Sequence, residues 1–177
     1  MRAGELQVWF LGPLGTIGRE VMEQALGRGM ALVAVVQSEN AVAALTVSVE
    51  LQGTDSIAIC NLEPTSDDDP SVMGLAIDAR LKALVAGRVR RLLVIGGPVD
   101  YEADQRVDVD TLPVRPRWRS LIRMYRGVYD ALRHQSAVIW HYVYPASIIL
   151  PEPRSAGDLT IESFAEAILD LAERRDA

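Results

Sequence analysis

The sequence predicts an α/β protein of three layers, with helices on both faces of a mostly parallel sheet that has one reduced edge. Three observations predict it. Apolar runs of strand length alternate with amphipathic segments of helical period along the 177 residues. The first run passes through glycines at positions 12, 15 and 18 directly into a helical pattern. The runs at 31–36 and 92–95 contain no polar residue, as expected of strands covered on both sides. A hydrophobic fraction of 49% suits one sizeable core, so a single domain over 1–177 is expected.

Residues 6–11 are the first strand, with Gln7 its one polar interruption. A helix runs from about residue 17 to 26 and turns Val21, Ala25 and Met22 toward the sheet. Gly27-Arg28-Gly29 ends it, and 31–36 is the second strand of a compact βαβ unit. The next region is irregular. Residues 46–51 alternate like a strand and 56–60 form another, yet only Gln52-Gly53-Thr54-Asp55 separates them. A parallel crossover needs a dozen residues or more. The first run is therefore a hairpin edge strand, or no strand at all, and the sheet edge is reduced.

Residues 61–70 form a loop at the carboxyl end of the strand that contains Cys60. Asp69 caps the next helix, Pro70 takes its first position, and the neighbouring aspartates favour its positive end rather than a metal. That helix spans about 70–86 and stops at Gly87. The strand 92–95 ends in Gly96-Gly97-Pro98, and a polar connection over 99–112 is either a lid or an ordered surface loop. Pro116 opens a helix to about 134, with an apolar stripe of Trp118, Leu121, Ile122, Tyr125, Val128, Tyr129 and Leu132. Residues 137–144 are a strand stopped by Pro145, and a short apolar run follows at 148–150. Thr160 caps the last helix, which packs through Phe164, Ile168 and Leu171.

A formal net charge of −6 weighs against a nucleic-acid partner. The eighteen basic residues are all arginine except Lys82. One cysteine excludes an internal disulfide, and with only His134 and His141 no cysteine- or histidine-rich metal site is expected. Cys60 reads as a small buried hydrophobe. No apolar run reaches membrane-spanning length, and the N-terminus lacks a signal-peptide pattern. The expectation is a cytoplasmic protein with a small-molecule substrate, no membrane partner and no bound metal.

Strand, glycine turn and helix in that order bring backbone N–H groups up to a diphosphate. Gly12 permits the sharp turn, Gly15 the approach of phosphates to the backbone, and Gly18 close packing of helix on sheet. The turn residues Leu14, Thr16 and Ile17 join them as candidate cofactor contacts. After the second strand, where an acidic or basic side chain reads the adenosine ribose, stands the uncharged Gln37. That position does not choose between NAD and NADP.

The chain resembles the NmrA-like, atypical short-chain dehydrogenase family, especially its biliverdin reductase B and flavin reductase branch. The resemblance rests on the run from Gly12 to Gly18, on Arg88-Val89-Arg90-Arg91-Leu92-Leu93-Val94-Ile95-Gly96-Gly97, on the segment from Ile122 to Pro145, and on the tail from Asp158 to Ile168. It implies a small Rossmann-like reductase or sensor using NADP or NAD. Four departures crowd one cleft. Pro13-Leu14 replace Ala-Thr in the turn. Gln37 replaces the arginine that meets a 2′-phosphate. Leu62-Glu63 stand where the family has a small glycine, so a carboxylate crowds the nicotinamide or its phosphate. Pro98-Val99 replace a serine or threonine. The cofactor is thus either retained or lost, and Pro13, Leu14 or Glu63 in the diphosphate space would bar it.

The family's usual Tyr-x-x-x-Lys pair is absent: Tyr129 stands four residues after Tyr125, and Lys82 is the only lysine. Proton delivery is left to solvent, Tyr125 or His141, and Tyr144 would line the nicotinamide side. His141 within reach of Glu63 would make a proton-transfer pair without any cofactor. Three functions follow: an NAD(P)H-dependent reductase of a conjugated or aromatic acceptor, a cofactor-independent isomerase, cyclase or dehydratase, or a non-enzymatic regulatory homodimer built on the incomplete edge.

Overall fold

The computed structural model describes residues 7–12, 14–36, 56–64, 82, 89–99, 108–145 and 159–174. Its strands are β1 (Gln7–Gly12), β2 (Ala31–Val36), β3 (Ser56–Asn61), β4 (Arg91–Ile95) and β5 (Ile139–Val143). Its helices are α1 (Thr16–Gly27), α2 (Pro116–Arg133) and α3 (Ile161–Glu173). The expected strand at 46–51, the run at 148–150, Pro13 and Gln37 lie outside the described residues. So does the helix at 70–86, apart from Lys82, which is helical and exposed.

The strands pair in the order β2-β1-β3-β4-β5, every described pairing being parallel. Alternate residues of each strand feed opposite faces, so an unbroken apolar run requires cover on both. Trp9, Leu11, Ala58, Cys60, Leu92 and Val94 pack on one face with Leu121, Met124, Tyr125, Val128 and Leu132 of α2. Val8, Phe10, Ile57, Ile59, Leu93 and Ile95 pack on the other with α1 and α3, through Val21, Ala25, Phe164, Ile168 and Leu169. The three layers are thus α2, the sheet, and the α1–α3 pair.

Most helix ends follow the sequence. Pro116 starts α2. Thr160 caps α3 with a capping box: its Oγ1 accepts from Ser163 N–H at 3.0 Å, and its own N–H donates to Ser163 Oγ at 3.0 Å. α1 starts at Thr16, one residue earlier than the apolar period indicates. Two expectations need correction. Trp118 is 54% exposed, because the first turn of α2 projects clear of the face it covers. Arg91, outside the strand expected at 92–95, is the first residue of β4 and only 2% exposed. Its guanidinium donates to the carbonyls of Leu171 at 2.8 Å and Ala172 at 3.5 Å, satisfying acceptors in the last turn of α3. The end of the 99–112 connection is ordered. Val109–Thr111 is a short 3-10 turn, Asp108 accepts from Asp110 N–H at 3.0 Å, and Arg123 of α2 pairs with Asp110.

Candidate active site

β1 has β2 on one side and β3 on the other, so the order reverses between β1 and β3. An open parallel sheet leaves a crevice at the carboxyl ends of two such strands. Gly12 closes β1 there with a φ of +128°, outside the range of ordinary L residues. A Cβ on Gly12 would collide with the carbonyl oxygen of Asn61, the last residue of β3. The turn then reaches Gly15, the N-cap of α1. Gly15 offers no side-chain cap, and the first turn of α1 holds no acidic residue. The first-turn N–H groups and the positive end of the helix dipole are thus left facing the crevice. Gly18 is buried with Val21 and Ala25 on the packed side of α1. Leu14, 38% exposed, is turned outward, Thr16 is exposed, and Ile17 packs against the α1–α3 core.

A groove of about 690 Å³ opens beside this turn, lined by Leu14, Gly15, Thr16, Arg19, Glu20, Ile161 and Glu162. It lies between the N-terminal ends of α1 and α3. Gln24 ties the two helices below it, donating to Glu20 Oε1 at 2.9 Å and to the carbonyl of Glu162 at 3.0 Å.

Glu63 stands beside the same turn, two residues past the end of β3. Its carboxylate fills the space beside Gly15: a Cβ there would meet Oε1 at 2.8 Å and lie closer still to Oε2 and Cδ. Asn61 Nδ2 donates to Oε2 at 3.4 Å, and Glu63 N–H donates to Asn61 Oδ1 at 3.3 Å. Leu62 N–H donates to the carbonyl of Ile95 at 2.8 Å and fastens the loop to β4. Tyr125 of α2 donates to the carbonyl of Leu62 at 3.4 Å. Burial pushes the Tyr125 phenol up to about 12, with the Glu63 charge adding to the rise. At neutral pH it is a hydrogen-bond donor and not a base.

The glycines after β4 serve the chain's own tyrosines. A Cβ on Gly97 would meet Tyr125 Cζ at 2.8 Å and lie closer to Cδ2 and Cε2. One on Gly96 would meet Tyr142 Cε2 at 3.0 Å and collide with its hydroxyl. That hydroxyl donates to the carbonyl of Gly97 at 3.0 Å. Tyr142 also meets Tyr129 edge-on, with ring centroids 5.5 Å apart, and Tyr144 stands half-exposed with its ring centroid 6.5 Å from that of Tyr142.

Tyr125 is thus held beside Glu63, bonded to the preceding residue and within reach of its charge, and His141 stands apart. His141 is in register with Leu93, on the α1–α3 face, whereas Tyr125 belongs to the α2 face. Burial first, and the Arg91 charge second, lower its pKa. Its Nε2 is buried and has no hydrogen-bond partner among the described residues. Cys60 is fully buried, as expected of a small hydrophobe. Among the described residues no group of three or more His, Cys, Asp or Glu could hold a metal, and no helix is long and apolar enough to cross a membrane. Sequence reasoning missed Asn61, read as loop, and the tyrosine packing at Gly96-Gly97. Twin glycines after a buried strand, with tyrosines on the next helix and strand, were the available signal.

No family profile matches the chain, and no curated protein does. Solved structures do. A proposed exported protein from Burkholderia pseudomallei superposes with a TM-score of 0.74 at 19% identity, over 96% of this chain and 94% of that one. A proposed NADH-flavin reductase from Streptococcus pneumoniae TIGR4 gives 0.68 at 18%, over 97% and 95%. A proposed epimerase from Bacteroides thetaiotaomicron gives 0.68 at 18%, over 98% and 93%. The fold is of the Rossmann type. At these identities the likeness speaks for architecture, and function has to be argued from the crevice.

Proposed function

We propose that this chain is an NAD(P)H-dependent oxidoreductase of the NmrA-like, atypical short-chain dehydrogenase kind, acting on a small conjugated or aromatic acceptor. One observation carries the reading. The N-terminus of α1, where Gly15 supplies no side-chain cap, stands at the point where strand order reverses and opens on a groove of about 690 Å³. N–H groups and a positive helix end gathered there suit the diphosphate of a dinucleotide. The likeness to a proposed NADH-flavin reductase along nearly the whole chain supports it.

The fit is incomplete. The helix end suits a diphosphate, but the Glu63 carboxylate holds the space over Gly15 and bars it while in that position, so the reading requires that side chain to leave. In this reading Gly12, Gly15 and Gly18 shape the turn, Leu14, Thr16 and Ile17 flank the phosphates, Gln37 takes the ribose end, and Tyr144 lines the nicotinamide side. A bound nicotinamide would supply the hydride. Tyr125, un-ionised at neutral pH, keeps a proton at its hydroxyl, and a delocalised acceptor needs little acid assistance.

Calorimetric titration with NADPH and NADH tests the reading. Binding with a dissociation constant below a millimolar is expected, and no heat at millimolar ligand removes it. The Glu63–Gly15 contact favours one other reading, a cofactor-independent isomerase, cyclase or dehydratase that uses Tyr125 and Glu63 in the closed crevice.

A further inference from the structure

We infer that Glu63 gates the crevice: its carboxylate occupies the anion position beside Gly15, and its rotation decides whether a nucleoside diphosphate enters. The inference rests on the dinucleotide reading and adds to it the residue that sets affinity.

The backbone around Glu63 cannot retreat. Leu62 N–H is bonded to Ile95 of β4, the Leu62 carbonyl accepts from buried Tyr125, and Glu63 N–H is bonded to Asn61, which is 2% exposed. The carboxylate itself is held loosely. Among the described residues it accepts from Asn61 Nδ2 alone, at 3.4 Å, near the outer limit for such a bond. Glu63 is half-buried, so solvent is open to the displaced side chain. The moving part is therefore a side chain on a fixed base.

Closed, the carboxylate brings negative charge to the positive end of α1, where no acidic side chain of the first turn and no side-chain cap supplies it. A diphosphate competes for the same position with the same sign of charge. If both remained, like charges would face each other in a partly desolvated crevice, an arrangement that is strongly unfavourable. Binding therefore requires displacement, and the affinity of the wild-type chain is reduced by the fraction of molecules in which Glu63 is in place.

The experiment compares wild type, Glu63→Ala and Glu63→Gln by calorimetric titration with NADPH, NADH and ADP. Thermal melts establish that each variant is folded. Glu63→Ala is expected to bind NADPH or NADH at least about tenfold more tightly than wild type, as relief of a like-charge contact predicts. ADP, which carries the diphosphate without a nicotinamide, gains by a similar factor. Glu63→Gln keeps the bulk and removes the charge, so a gain equal to that of alanine assigns the gate to charge, and a smaller one to bulk. Equal affinity of wild type and Glu63→Ala overturns the gate and leaves the dinucleotide reading standing. A gain for NADPH or NADH with none for ADP also overturns it, because Glu63 would then act at the nicotinamide end. No binding by any of the three proteins overturns the dinucleotide reading, and the gate with it.

Discussion

Replacing Gly12 with alanine tests the geometry on which the crevice is built. Two costs add at this position. An L residue held at φ +128° is strained by about 1–3 kcal/mol. The new methyl group also collides with the Asn61 carbonyl oxygen and falls 3.1 Å from its carbon. Those are backbone atoms of a paired strand, so the contact is relieved only by separating β1 from β3. Forced contacts in a packed interior cost about 1–3 kcal/mol. The sum is about 2–6 kcal/mol, equivalent to roughly 4–24 °C in melting temperature for a chain of this size. Gly29→Ala separates the two parts. Gly29 has a φ of +72°, and a Cβ there meets nothing within 4 Å, so only the conformational cost of about 1–2 kcal/mol applies. Urea unfolding followed by circular dichroism gives both losses. If Gly12→Ala is no more damaging than Gly29→Ala, the tight approach of β1 to the end of β3 is refuted.

Two titrations probe the groups around and away from the crevice. The His141 pKa is lowered by burial and by Arg91, so the unfolded chain takes up the proton first as pH falls. Stability present above about pH 6.5 is then lost as pH drops toward the folded-state value. Urea midpoints should fall across that window in wild type and much less in His141→Gln, and an equal fall in both would count against His141 as the source. Tyr125 has the opposite sense. Its phenol is raised from 10.0 to about 12, so its contribution is full below pH 10 and is lost as pH rises between those values. Absorbance at 295 nm should show one tyrosine ionising late, and Glu63→Gln should bring that transition down; a late tyrosine indifferent to Glu63 would contradict their juxtaposition.

The fold was legible where one local pattern had one physical solution. The glycines at 12 and 15 between an apolar run and a helical period required a strand, a turn and a helix, and that is what forms. Pro116 and Thr160 each announced a helix start through backbone chemistry confined to a few residues. The parallel sheet followed from strands with no polar side. The site was less legible, because its contacts join residues far apart in the chain. Glu63 was visible as a crowding carboxylate, but its seat against Gly15 depends on the β1–β3 register. Tyr125 and His141 both looked available to one cleft, yet they belong to opposite faces of the sheet, a distinction set by strand parity across β4 and β5. Arg91 was hidden by its neighbours Arg88 and Arg90, since nothing local marks which arginine of the run is drawn inside.

The grip of Arg91 on the end of α3 joins positions 80 residues apart. During synthesis, β1, β3 and β4 leave the ribosome well before the helix that covers Val8, Phe10, Ile59 and Leu93. Until that helix emerges, α1 alone of the two helices covers this apolar sheet face, and the guanidinium lacks its acceptors. A stop codon shortly before residue 161 would therefore release a chain prone to aggregate rather than a smaller soluble protein.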